Sequence, residues 1–210
     1  ICLPLSIVLS SRSDLVSCMS LARFARYALR QGSIGRHHLV ISSGSVVDFA
    51  WDGPNPEKAS IVNAANEGCL GGGGVDGAIS NAGGPNLQRD RKSLPVLKQS
   101  GAFGEVRCPT GCAVITGPGS YGSLKVPYVI HAVGPNYSVL SDFEKGDELL
   151  ASSYRESLFR AKEAKLEAVA FSLLSSGIYR GPRSKKDVLR IAVETVVDFD
   201  GYDELQEIHL

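Results

Sequence analysis

Neither sign of charge prevails in this 210-residue chain. Lys plus Arg and Asp plus Glu each number 22, so no global field favours DNA, RNA or an anionic membrane surface. Aromatic residues make up only 7% of the chain and form no stacking platform; nucleic acid is not an expected partner. Long apolar runs are missing as well. The longest candidate, residues 1–9, is interrupted by Pro4 and Ser6 and is too short to span a bilayer, so no membrane association is expected. Cysteine is scarce and odd in number: Cys2, Cys18, Cys69, Cys108 and Cys112 contain no C-x-x-C pair. This argues against a disulfide framework and a zinc ribbon, and for a reducing, intracellular setting in cytoplasm or nucleus. His37 and His38 with Cys108 and Cys112 match no known ligand spacing, so neither a metal nor a cofactor is expected.

Acidic residues are absent from Leu15 to Val47, while Arg23, Arg26, Arg30 and Arg36 recur with Leu21, Phe24, Ala28 and Leu29 between them. The pattern fits an organelle transit peptide, with import as its consequence, and equally an Arg-bearing amphipathic first helix. Residues 1–36 are therefore expected to be leader or helix. The remainder, 37–210, is long enough to bury one substantial core and is expected to be a single, monomeric domain.

What the chain does have is concentrated between residues 60 and 79. Ser60-Ile61-Val62-Asn63-Ala64-Ala65-Asn66 reads as a buried strand that ends in two Asn, positioned to present side chains to a ligand. Gly71-Gly72-Gly73-Gly74 then supplies backbone that can approach an anion with no Cβ in the way. Val75-Asp76-Gly77-Ala78-Ile79 begins a helix whose free N–H groups and positive dipole end face the same spot. A small anionic, phosphorylated ligand is expected. Gly72, Gly74 and Gly77 satisfy G-x-G-x-x-G, but the first glycine does not directly follow the strand and no acid lies between Arg91 and Phe103, so a Rossmann site is not indicated. The chain also lacks a P-loop. Pro118-Gly119-Ser120-Tyr121-Gly122 misses the G-x-S-x-G nucleophile elbow at its first position.

Strands are predicted over residues 38–41, 46–51, 59–64, 112–116, 128–133 and 168–173, with a last strand beginning at 207–210. Helices are predicted over 75–88, 148–164 and 185–199, and residues 89–108 read as a short helix plus loop. Strands alternating with helices imply an α/β fold, a three-layer α/β/α sandwich around a mixed central sheet. Ligands in such folds sit at the carboxyl ends of strands. Asn63-x-x-Asn66 with its glycines and the loop Ser175-Ser176-Gly177-Ile178-Tyr179 both follow predicted strands, so two loops on one rim are expected to grip one ligand.

These residues, together with Arg107-Cys108-Pro109-Thr110-Gly111 and Ile130-His131-Ala132-Val133-Gly134-Pro135, resemble the macro domain family. Within it they resemble the MacroD-type ADP-ribose hydrolases, in the version of plant-like relatives of the Appr-1''-p-processing kind. The resemblance implies an ADP-ribose cleft, with ADP-ribosylated proteins or O-acetyl-ADP-ribose as partners and no metal or redox cofactor. Gly72, Gly73, Gly74 and Val75 would wrap the diphosphate; Ser175, Ser176, Gly177 and Ile178 would close over it, and Tyr179 would cover the distal ribose. Asn66, with Asn63 nearby, would hold that ribose, and Asp76 would orient water for hydrolysis of mono-ADP-ribosyl esters on acidic side chains or for deacetylation of O-acetyl-ADP-ribose.

Where the family has Gly-Asp-Ile at the adenine end, this chain has Gly44-Ser45-Val46, and Ser80 stands where a His usually follows the acid by one turn. A weakly active or inactive ADP-ribose reader is the alternative that these departures imply. The chain stops at Leu210, inside the expected final strand, so a missing strand and closing helix would leave a sheet edge exposed.

Overall fold

The computed structural model describes residues 6–7, 24–29, 37–101 and 104–210. Its strands are β1 (Ser6–Ile7), β2 (Phe24–Leu29), β3 (His37–Ser42), β4 (Ala59–Ala64), β5 (Lys98–Gly101), β6 (Gly104–Val106), β7 (Ala113–Thr116), β8 (Tyr128–Ala132), β9 (Ala168–Phe171) and β10 (Glu207–His209). The helices are α1 (Gly74–Lys92), α2 (Phe143–Glu163) and α3 (Lys185–Val197).

Eight strands form one sheet in the order β1-β2-β3-β10-β9-β4-β8-β7. It is mixed: β2 runs antiparallel to β3 and β7 antiparallel to β8, whereas β10, β9, β4 and β8 pair in parallel. Parallel strands need both faces covered, which is why β9 reads as an unbroken apolar run and β4 is fully buried from Ala59 to Asn63. Alternation along each strand then divides the core. Ile61, Val129, Ala168 and Ala170 face one layer, with Ile79 and Leu87 of α1 and with Trp51. Val62, Ile130, Val169 and Phe171 face the other, against Leu150, Tyr154 and Leu158 of α2 and Val188, Ile191 and Val196 of α3. This is the expected α/β/α sandwich.

Four local expectations are corrected. Residues 46–51 are not a strand: Val46–Asp48 form a single 3-10 turn that Ser45 caps by accepting from Val47 N at 3.3 Å. Residues 89–108 continue α1 to Lys92 and then form the β5–β6 hairpin. Phe24–Leu29 is strand β2, in register with β3 from Phe24↔Ser42 to Leu29↔His37, so the first-helix reading fails there; most of the leader or transit segment lies outside the described residues. The final strand is present. Through Glu207–His209, β10 pairs with β3 on one side and β9 on the other, and Leu210 continues the ladder to Val40 and Ser42, so no edge is exposed between β3 and β9.

Candidate functional site

The carboxyl ends of β4 and β9 sit side by side, since the two strands pair in parallel from Ala59↔Ala168 to Val62↔Phe171. Both loops picked out in the sequence therefore emerge on one rim. The first is shaped by its own side chains. Asn66 Nδ2 donates to Gly71 O at 2.9 Å and Asn66 Oδ1 accepts from Gly68 N at 3.0 Å, so Asn66 is a turn former as well as a ligand candidate. Glu67 pins the loop to the neighbouring segment: its carbonyl accepts from Arg107 N and Cys108 N, and its carboxylate from Thr110 N and Oγ1. The Cys108 thiol beside it is hydrogen-bonded to Cys69 and buried, which pushes its pKa far up; it is held as a thiol, not a nucleophile.

Gly73 is the N-cap of α1 and supplies no capping side chain, so the helix begins with N–H groups that no cap side chain covers. Close approach demands glycine here. A Cβ on Gly77 would lie 2.8 Å from Gly72 O, and one on Gly72 would lie 3.1 Å from Asp76 Oδ2 and 3.2 Å from Asn66 Nδ2.

Beneath this loop Asp76 is only 3% exposed. Its Oδ1 accepts from Asn63 Nδ2 at 2.8 Å and forms a buried ion pair with Arg91 Nη2, also at 2.8 Å. Oδ2 has no partner and lies under Gly72. Asn63 is fully buried and braces Asp76; it does not line the cleft. Its amide also lies 3.2 Å from His131 Nδ1, which Arg91 Nη2 approaches to 3.3 Å. Both neighbours are donors, so the hydrogen-bond pattern leaves the ring proton on Nε2, directed at Thr116 Oγ1 3.0 Å away. Burial, with a smaller push from Arg91, holds the His131 pKa well below the ordinary range. The neutral ring is structural, with both nitrogens within hydrogen-bond range of protein groups. Ser80, where the resemblance wants His, donates to Asp76 O and accepts from Arg91 Nη1, each at 2.7 Å.

The second loop is braced from below. Ser175 is buried and its hydroxyl donates to Pro135 O at 2.7 Å, so its side chain fixes the turn and is not offered to a ligand. Leu174 N donates to the buried Tyr154 hydroxyl at 3.0 Å. Gly177 and Ile178 stay outside, Ile178 being 84% exposed. Tyr179, tied through its carbonyl to Tyr137 N, has its phenol pKa raised by burial and by the neighbouring carboxylates of Glu67 and Asp76.

Between the loops runs a cleft of about 1190 Å³. Ser45, Val46, Gly74, Val75 and Ser176 line it together, whereas Gly72, Gly73, Gly177, Ile178 and Tyr179 are not part of its lining. Sequence reasoning missed Phe49 and His209 in its wall, whose rings meet edge-on at 4.8 Å. Asp48 lines it too, because the 3-10 turn, unlike a strand, carries Asp48 to the side of Ser45. Another groove, of about 580 Å³, runs between α2 and α3 past Arg155, Phe159 and Glu194 and shares no lining residue with the cleft.

The Macro domain family model matches residues 62–192, the span that carries both loops. The chain belongs to the macro domain family. Among curated relatives it is 41% identical to a macro domain-containing protein of Caldanaerobacter subterraneus over 82% of this chain and 87% of that one, and 48% identical to one from Streptomyces nogalater over 65% and 68%. Among solved structures, the Oceanobacillus iheyensis macrodomain with ADP matches with a TM-score of 0.66 at 31% identity, over 90% of this chain and 88% of that one. The Trypanosoma brucei macrodomain in complex with ADP-ribose matches with a TM-score of 0.60 at 31% identity, over 86% and 68%.

In this macro domain the residue most conspicuously missed by sequence reasoning is Arg91. The available signal was its place four residues after Leu87, on the face of α1 that packs into the core. Among the described residues no group of three or more His, Cys, Asp or Glu is arranged to hold a metal, and no helix is long and apolar enough to cross a membrane.

Proposed function

We propose that this macro domain binds ADP-ribose in the cleft and acts, in the MacroD manner, as a hydrolase of mono-ADP-ribosyl esters on acidic side chains and of O-acetyl-ADP-ribose. The backbone of Gly72, Gly73, Gly74 and Val75 takes the diphosphate at the start of α1, with the helix dipole favouring its charge. Ser176, Gly177 and Ile178 close from the opposite loop, Tyr179 covers the distal ribose and Asn66 meets its hydroxyls. Ser45, Val46 and Asp48 flank the adenine end. The ADP and ADP-ribose held by similar macrodomains support this ligand class.

One observation carries the hydrolytic reading: Asp76 Oδ2 is an unpartnered carboxylate oxygen directly beneath the glycine loop. Such an oxygen accepts a hydrogen bond from water and orients it at the ribose anomeric carbon. For a mono-ADP-ribosyl ester, water oxygen forms the new bond to that carbon, the bond from it to the ester oxygen breaks, the carboxylate departs and the proton passes to solvent; for O-acetyl-ADP-ribose the water adds instead to the acetyl carbonyl carbon, the acyl carbon–oxygen bond breaks, the ribose oxygen takes up the proton and acetate departs. The products are ADP-ribose and a free acid. Oδ2 is closed to solvent as the loop stands, so water reaches it when the Gly72 segment lifts. The same closure, with Oδ1 committed to Arg91, favours a second reading in which the domain reads ADP-ribose without cleaving it.

Calorimetric titration with ADP-ribose and a release assay on an ester-linked ADP-ribosylated protein separate the two. The hydrolase reading expects binding and release in the native chain, and in Asp76→Asn retained binding with release abolished. Binding without release in the native chain leaves the reader, and no binding at all refutes the cleft.

A further inference from the structure

We infer that Arg91, seated through Ser80, is a positioning residue that aims the free oxygen of Asp76, an inference that rests on the hydrolytic reading above. Arg91 is completely buried and stands 15 residues beyond Asp76. Three bonds close a ring: Arg91 Nη2 to Asp76 Oδ1 at 2.8 Å, Arg91 Nη1 to Ser80 Oγ at 2.7 Å, and Ser80 Oγ to Asp76 O at 2.7 Å. A guanidinium is planar and its donors are fixed relative to one another. Anchoring Nη1 on Ser80 therefore sets the direction from which Nη2 meets the carboxylate.

The pairing is one-sided. A guanidinium kept only for stability would be expected to meet both carboxylate oxygens in parallel. Here Arg91 and Asn63 converge on Oδ1 while Oδ2 stays unpartnered within a site that is only 3% exposed. A buried acceptor without a donor is costly, and rotating the carboxylate to relieve it would break both Oδ1 bonds. The two donors thus hold Oδ2 toward Gly72 and Asn66, where Gly72 leaves room that a Cβ would fill at 3.1 Å from it. The hydrogen-bond partners of Arg91, namely Asp76, Ser80 and the His131 ring, do not line the cleft, so its effect on a ligand passes through Asp76.

The test measures saturating release rate, KM and ADP-ribose affinity for the native chain, Ser80→Ala and Arg91→Lys, each first checked for a cooperative thermal melt above the assay temperature. Arg91→Lys keeps the charge but loses the fork, and its kcat is expected to fall on the order of 10²-fold, with about tenfold for Ser80→Ala, while KM and affinity move by less than about twofold. A purely stabilising Arg91 would lower the melting temperature and leave kcat of the folded protein unchanged; that result overturns the inference but leaves the hydrolytic reading standing. A native chain that binds and does not release removes both. Should Arg91→Lys fail to fold, Ser80→Ala decides alone, because it removes only a hydroxyl, and an unchanged kcat there refutes the role.

Discussion

Replacing Arg91 by Met tests the ion pair as a stability element. Methionine keeps an unbranched stem in the buried channel and removes the three contacts that the guanidinium makes, to Asp76, Ser80 and the His131 ring. What remains is a carboxylate 3% exposed with Asn63 as its one donor. At 2.8 Å separation and an effective dielectric of about 20, the lost attraction is about 6 kcal/mol. Part of this is offset because the arginine's own desolvation cost disappears, which leaves a net loss of about 3–5 kcal/mol for breaking a buried pair. In a chain of this size that lowers the melting temperature by about 6–20 °C. The second half of the experiment removes the charge left behind: Arg91→Met with Asp76→Asn is expected to recover most of the loss. The assay is thermal and urea unfolding of the native chain, both single variants and the double variant, read as a mutant cycle. A single-variant loss below about 1 kcal/mol, or losses that simply add in the double variant, would refute the claim that Arg91 is spent on neutralising Asp76.

Gly77→Ala sets helix propensity, which favours alanine by about 1 kcal/mol, against a Cβ 2.8 Å from Gly72 O. Calorimetry is expected to find weaker ADP-ribose binding without a gain in melting temperature, and a stabilised variant of native affinity would contradict the close-approach argument. Tyr154→Phe removes the acceptor of Leu174 N and is expected to cost about 1–3 kcal/mol in urea unfolding as a buried N–H goes unpaired. For pH, the His131 pKa is lowered by burial and the His37 pKa likewise, so the unfolded chain binds protons that the folded chain refuses. Their stabilisation is complete above about pH 6.5 and is lost on acidification through that value, by up to about 1.4 kcal/mol per pH unit for each group. Urea midpoints from pH 7.5 to 5 should fall accordingly, and His131→Gln should flatten the profile; an identical slope in the variant would count against a neutral buried ring.

Legibility followed the range of the forces involved. Residues 59–64 and 168–173 are readable as strands because burial on both faces leaves mostly apolar side chains there, Ile61, Val62, Val169 and Phe171 among them. The hairpin β5–β6 is not readable: Lys98-Gln99-Ser100-Gly101 has no alternation, and its pairing with β6, at Lys98↔Val106 and Gly101↔Gly104, is what makes it a strand. Arg23, Arg26 and Arg30, within and beside Phe24–Leu29, recur at spacings that suit a helix, yet the partnership of this segment with β3, register Ala25↔Ile41 and Tyr27↔Leu39, makes it extended; local propensity yields to a ladder when an edge is available.

The sequence by itself determined the alternation of strands and helices, the placing of two loops after β4 and β9, and the glycine backbone between Asn66 and Asp76, since these depend on residues next to one another. It could not assign the use of the Asp76 carboxylate. That depended on Arg91, 15 residues along the chain, and on Asn63, 13 residues before it, with His131 a further 68 beyond Asn63. Only the packing of α1 on β4 and β8 brings those groups within hydrogen-bond range of one buried oxygen, and only that packing leaves the other oxygen facing the loop.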